Sequence, residues 1–326
     1  NYDIGHVFAH EGGSVALGGA AYRSAACVDQ MKASAFSSFD PPVGDPFDID
    51  FVAHEMGHQL GCSHTASNNC NGTRATSVEP SDASTIMGQY FCDLPNIQAN
   101  NDAYFHAVNL LEIGYNTTEG PAGSCPTLTD TGNTPPEVEV EQQRYVLPIS
   151  TPFKLEAIGQ DADGDVLTYC WEQMDNEMIP NPPIPESEAG PAFRSYEPVE
   201  EPYRIFPALE YLINGTDYQW EVLPAVSREM DFRVTVRDNF MGAGCTSEAD
   251  VDLTFDEGAG PFLVQSPNSD VVWYEGASYT ISWDVANTDM APVNCSQVDI
   301  LLSTDVGYTY PVNLATNVPN DGAHII

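Results

Sequence analysis

Lysine is nearly missing from this chain: Lys32 and Lys154 are the only two. Lysine and arginine together number 10 against 48 aspartates and glutamates, a formal net charge of -38. Such a field repels phosphate backbones and anionic bilayers, which excludes nucleic acid and anionic membranes as partners. The acidity reads either as solubility in salty surroundings, where self-repulsion is screened, or as local clusters that hold divalent cations. Long apolar runs are also absent, so no membrane-spanning helix is expected. The eight cysteines, Cys27, Cys62, Cys70, Cys92, Cys125, Cys170, Cys245 and Cys295, contain no CxxC pair. That argues against a zinc ribbon or a thioredoxin-like site. An even, scattered count fits disulfides, an oxidising compartment and a secreted or cell-surface protein. Asn1-Tyr2-Asp3 carries neither an initiator methionine nor a signal-peptide pattern, and the final "AHII" reads as the start of a strand. A fragment of a longer protein is therefore expected.

At 326 residues and 42% hydrophobic content, two or three domains with real cores are expected. Six of the seven histidines and most of the helical pattern fall in residues 1–116. "DIDFVAHEMGHQLG" puts Ile49, Val52, Ala53, Met56 and Leu60 at helical spacing, with Asp48 as N-cap and Gly61 as the stop. "NNDAYFHAVNLLEIG" predicts a second helix from a cap near Asn101 to Gly114. Residues 117–136 are rich in Pro, Gly and Thr and read as a linker. Beyond them the pattern turns to strands: "YVLPI", "FKLEAIG", "VLTYCWEQ", "DFRVTVRDN" and "ADVDLTF", interrupted by a Pro/Glu-rich insertion between about 176 and 207. Another boundary at "DEGAGPF" separates a β-sandwich module over 137–258 from a β module over 259–326. In the latter, Tyr279, Ile281, Trp283 and Val285 share one strand face, and Val298, Ile300 and Leu302 share another.

The chemistry concentrates in "HEMGHQLGCSH". On a helix, His54 and His58 leave the same face one turn apart, as two ligands of one tetrahedral Zn²⁺ require. Glu55 is offset by one residue. It does not ligate, but it can reach a water on the metal and act as general base. Gly61 lets the chain leave the helix sharply, at positive φ, so that His64 arrives as third ligand. Three protein ligands leave a fourth position open, which separates catalytic from structural zinc. A surface helix that happens to be His-rich is the bland alternative, and five fixed positions together weigh against it. His6, His10 and His106 lie outside the motif and read as ordinary polar or packed residues. Cys62 reads as a staple, pairing with Cys27, and Cys70 and Cys92 flank the loop around Met87 and read as a pair.

H-E-x-x-H-x-x-G-x-x-H resembles the signature of the metzincin metalloproteases, and "STIMGQY" supplies Met87 for the methionine turn of that family. The resemblance sharpens to bacterial reprolysin-like peptidases over "YDIGHVF", "GGSVALGGAAY", "FVAHEMGHQLGCSHT", "VEPSDASTIMG" and "DAYFHAVNL". It implies an α+β metzincin-like catalytic domain over 1–116, N-terminally incomplete, because the family's earlier strands and helix would precede Asn1. It also implies that "SVALGGAAY" is an edge strand that pairs with extended substrate, and that Met87 supports the site without touching zinc. Gln89 stands where some relatives place a metal-proximal tyrosine, so no tyrosine ligand is assigned. The segments "GPAFRSYEP" and "FRVTVRDN" resemble the region C-terminal to the catalytic domain in these peptidases. Residues 259–326 resemble their accessory immunoglobulin-like module, stopping before its last strand.

"DADGDVLTYCWE" sets Asp161, Asp163 and Asp165 on alternate residues around a glycine turn. It reads equally as a solvated turn or as a Ca²⁺ site resembling cadherin- and polycystic-kidney-type turns. The leading expectation is a secreted zinc endopeptidase acting on proteins or peptides, with one catalytic Zn²⁺. The competing one is a calcium-dependent adhesion or substrate-binding protein whose peptidase domain is inactive or incomplete.

Overall fold

The computed structural model describes residues 2–9, 18–67, 74–88, 95–179, 181–215 and 219–326. The expected Cys70–Cys92 pair, His10 and Gln89 lie outside these residues.

The N-terminal part begins with a small sheet of β1 (Val7–Ala9), β2 (Gly18–Ala21) and β3 (Ala35–Ser38), in the order β1-β3-β2. β1 runs parallel to β3 and β2 antiparallel to it, so β2 is an edge strand among the described residues. A continuous helical run follows: α1 (Asp45–Phe47), a wider π-helical stretch (Asp48–Ala53) and α2 (His54–Gln59). The helix thus starts three residues before the expected cap at Asp48. Gly44 takes φ 76°, and Pro46 suits the first turn, where its missing N–H has no helical partner to lose. Gly61 leaves the helix at φ 110°. The side-chain amide of Asn116 donates to the Leu60 carbonyl at 2.7 Å and closes the open end.

The apolar stripe expected on this helix is not its buried face. Met56 is 38% exposed, whereas His54, Glu55 and Gln59 are buried. α2 is covered on its polar side, by β2 and by the chain that follows Gly61, so burial tracks the site rather than hydropathy.

The next helix, α3 (Ala107–Thr118), starts six residues later than the expected cap near Asn101 and runs past Gly114. Residues 101–105 are held instead by long-range pairs: Asp102 N–H donates to the Ser84 carbonyl, and Ile86 N–H to the Tyr104 carbonyl. These bonds outcompete the local cap. His106 becomes the N-cap, its Nδ1 accepting from Val108 N–H at 3.2 Å. A disulfide joins Cys27 to Cys125, just beyond α3. This corrects the expected Cys27–Cys62 pairing: Cys62 is a fully buried free thiol whose S–H faces the Asn109 carbonyl.

Residues 137–256 form two sheets. One holds β4 (Glu137–Val140), β6 (Phe153–Gln160) and β8 (Tyr203–Phe206) in the order β4-β6-β8. The other holds β5 (Arg144–Pro148), β7 (Thr168–Gln173), β9 (Arg228–Arg237) and β10 (Thr246–Asp256) in the order β5-β10-β9-β7. Alternation drives their burial: Phe153, Leu155 and Ala157 point inward along β6, as Val251, Leu253 and Phe255 do along β10. The shared core centres on Phe153, Phe193, Phe206, Phe232 and Phe255, with Phe153 stacked on Phe206 at 4.9 Å between ring centroids. Phe193 comes from the Pro/Glu-rich insertion, so that segment is part of the core rather than an interruption of it. Helix α4 (Leu209–Asn214) follows β8.

The last strands again form two groups, β11 (Leu263–Ser266), β12 (Thr280–Asp284) and β15 (Ala323–Ile325) in one, β13 (Gln297–Leu302) and β14 (Val312–Pro319) in the other. Ile281, Trp283, Ile300 and Val318 make their common core. Leu302, expected to share a strand face with Ile300, is 39% exposed, and the register shifts between Ile300 and Leu301.

Candidate metal centre

Three imidazoles meet at the C-terminal half of the α2 run. His54 and His58 stand one helical turn apart, and the exit at Gly61 returns the chain so that His64 faces both. His54 Nε2 and His58 Nε2 each lie 3.1 Å from His64 Nε2. The outer nitrogens determine the tautomers. His54 Nδ1 is 2.8 Å from the Ile86 carbonyl oxygen, and His58 Nδ1 is 2.8 Å from that of Cys62. A carbonyl only accepts, so each Nδ1 carries the hydrogen and each Nε2 presents a bare lone pair. His64 can donate one hydrogen to one of them, which leaves at least one contact of lone pair against lone pair. A cation at the centre removes the conflict. Zinc fits: at Zn–N distances of about 2.0–2.1 Å, tetrahedral nitrogens sit roughly 3.3–3.4 Å apart. Burial, followed by the neighbouring His58 and His64, holds His54 far below the ordinary imidazole range, and burial also lowers His58. Both are neutral and competent to ligate at pH 7.

Glu55 lies beside this cluster, 5% exposed, and its Oε2 has no hydrogen-bond partner among the described residues. Burial pushes its carboxyl up to about 7. A cation bound close by would draw it down again. Its position depends on β2 passing very near: a Cβ on Gly19 would sit 2.5 Å from Glu55 Oε1. Met87 is fully buried beneath the helix, packed where a Cβ on Gly57 would meet its sulfur at 2.6 Å. It belongs to the cluster of Cys62 and Ile86, with Ala53 and Phe105 against it. Burial raises the Cys62 thiol far above its usual range, so it remains protonated and is no thiolate ligand.

Several residues that shape the site carry no motif in the sequence. Glu112 of α3 accepts from Ser63 N–H and Ser63 Oγ, both at 2.8 Å, and Asn109 Nδ2 donates to the Ser63 carbonyl at 3.0 Å. Together they grip the residue between Cys62, which orients His58, and the ligand His64. Thr76 Oγ1 donates to the His64 carbonyl at 2.7 Å. Arg23, exposed just after β2, donates to Ser63 Oγ. The one signal in the sequence pointing to Asn109 and Glu112 is their spacing of three on a predicted helix. His6 bridges Gln59 and Ser37, a packed polar residue away from the cluster.

The carboxylates of Asp161, Asp163 and Asp165 also come together, with one oxygen from each within 4.8 Å of the others. Asp161 Oδ1 accepts from the N–H groups of Asp163 and Asp165, as in an ordinary Asx turn. Among the described residues Asp161 Oδ2 and Asp165 Oδ2 are buried without a hydrogen-bond partner, but acidic groups commonly come together in this way with no ion between them.

Residues 1–114 match the metallo-peptidase family M12B, reprolysin-like. No curated protein matches the chain. The matched span holds the entire histidine cluster, Glu55 and Met87, so over this third of its length the chain is similar to the reprolysin-like metallopeptidases. No helix among the described residues is long and apolar enough to cross a membrane.

Proposed function

We propose that the chain is a zinc-dependent endopeptidase that hydrolyses peptide bonds in proteins or peptides outside the cell. The observation that carries this reading is the convergence of three Nε2 atoms next to a buried carboxylate with a free oxygen. His54, His58 and His64 would hold the zinc, which would supply Lewis acidity toward a peptide carbonyl and toward water at neutral pH. Glu55, through Oε2, is placed to take a proton from the attacking water and to return it to the departing amine. The edge position of β2 among the described residues supports an extended substrate strand running past Glu55, with main-chain hydrogen bonds setting its register. Met87 acts from below, as packing for the helix. The Cys27–Cys125 disulfide supports an oxidising, extracellular setting.

Glu55→Ala is expected to keep zinc at the wild-type stoichiometry and to lower kcat by about 10³-fold or more on a casein or gelatin substrate. Full activity in that variant overturns the role of Glu55. Activity that survives removal of metal by a chelator overturns the zinc assignment. A folded, zinc-loaded protein that cleaves neither substrate favours the binding-protein reading instead.

A further inference from the structure

The carbonyls that orient His54 and His58, and the backbone on either side of His64, belong to segments held from the two-sheet unit of residues 137–256. The contact has two arms. In the first, Glu172 of β7, fully buried, accepts from Ala107 N–H at 2.8 Å and so closes the N-terminus of α3. Its other oxygen faces His106 Nε2 at 3.6 Å. His106 Nδ1 accepts a backbone N–H, which leaves Nε2 as the nitrogen on the Glu172 side of the ring, in contact at a distance longer than a hydrogen bond. Arg237 of β9 adds a hydrogen bond to the Phe105 carbonyl at 3.2 Å. α3 in turn carries Asn109 and Glu112, which hold Ser63 between the carbonyl that orients His58 and the ligand His64.

The second arm reaches the loop that carries Ile86 and Met87. Asn181 Oδ1 accepts from Ser81 N–H at 2.8 Å, its amide donates to the Ser67 carbonyl at 3.3 Å, and Ser84 Oγ donates to the Ser195 carbonyl at 3.2 Å. That loop supplies the Ile86 carbonyl to His54 Nδ1 and the Met87 carbonyl to Thr65 N–H, next to His64.

We propose that Glu172 and Asn181 are positioning residues for the metal centre, so that the unit following the peptidase segment sets the geometry of the three histidines. The inference rests on the zinc reading of His54, His58 and His64. Partners of metal ligands commonly govern affinity by orienting the imidazoles. Here those partners are backbone carbonyls, and Glu172 and Asn181, which anchor the segments leading to them, lie more than a hundred residues downstream of the motif in sequence.

The test uses the whole 326-residue chain. Zinc affinity is measured by competition with a chromogenic chelator, and ligand geometry by the visible spectrum of the protein loaded with cobalt(II). Glu172→Ala and Asn181→Ala are each expected to lower zinc affinity by about tenfold and to shift the cobalt bands. Glu172→Gln keeps an acceptor oxygen for Ala107 N–H and is expected to recover most of the loss. A folded Glu172→Ala protein with wild-type affinity and spectrum overturns the proposal. So does a lower melting temperature with an unchanged cobalt spectrum, the mark of a purely structural interface. If Glu172→Ala does not fold, wild-type affinity in Asn181→Ala overturns it equally. Wild-type protein that binds no zinc overturns the reading of the histidines, and this inference with it, whereas zinc binding indifferent to all three variants overturns the inference alone.

Discussion

At the scale of single residues, the centre is built by close approach. Gly19 has no side chain because Glu55 occupies the space a methyl would take. Since the atoms in the way are the far end of a flexible side chain, Gly19→Ala is expected to displace Glu55 rather than unfold the protein. Steady-state kinetics should show kcat reduced by about 10²-fold, with zinc affinity within about twofold of wild type, because a misplaced general base loses reach without disturbing the ligands. Unchanged kcat would show that Glu55 does not work from the position it holds against β2. Gly57 makes the same allowance for Met87 from the other side of the helix. The HExxH pattern names the ligands and the base, but says nothing about Gly19, whose neighbour lies far along the chain.

At the scale of elements, the contacts that hold α2 and α3 together were only partly legible. The i, i+4 spacing of His54 and His58, and a glycine exit, require no knowledge of the fold. The start of α3 did require it, because Asp102 and Tyr104 pair with residues 84 and 86 instead of capping a helix. The cysteine partners lie still further apart. Cys27 and Cys125 are 98 residues apart, so their bond ties the segment after β2 to the end of α3. Loop-closure entropy for a span of that length gives a stabilisation of roughly 4–5 kcal/mol, with observed losses on removal of about 2–5. Cys125→Ser is therefore expected to lower the unfolding free energy by roughly 2–5 kcal/mol in denaturant titrations. Cys62→Ala, lacking any disulfide to break, should show a far smaller loss. Equal losses in the two variants would contradict the observed pairing. Asn116, although it sits in an N-x-T sequon, is buried and caps α2 through Leu60, a position with no room for a glycan.

At the scale of the whole molecule, charge sets the response to pH and salt. Burial is the first cause that raises Asp50, Asp82 and Asp175 to about 6, well above the ordinary carboxylate range. A carboxyl with a folded value above its unfolded one binds protons more tightly in the folded state. Its contribution to stability is then complete below about 4 and is lost as pH rises through about 6. The net charge of -38 acts in the same direction, since protonation relieves self-repulsion. Thermal unfolding with a chelator present, so that metal release plays no part, should give a higher Tm at pH 5 than at pH 7.5. The gap should narrow in high salt. A Tm that falls steadily from pH 7.5 to 5 would show that these buried acids do not dominate.

The sequence by itself determined that His54, His58 and His64 come together with Glu55 beside them, and where most strands of residues 137–256 run. Both are short-range properties, one set by helical period and a glycine turn, the other by alternation of apolar side chains. Only the tertiary structure decided which cysteine Cys27 meets, which face of α2 is buried, where α3 begins, and that Phe193 from the insertion joins the core. It alone places Glu172 and Asn181 behind the histidines. Each of these depends on groups brought together from distant parts of the chain, where a buried donor or acceptor takes the partner that the fold presents rather than the one nearest in sequence.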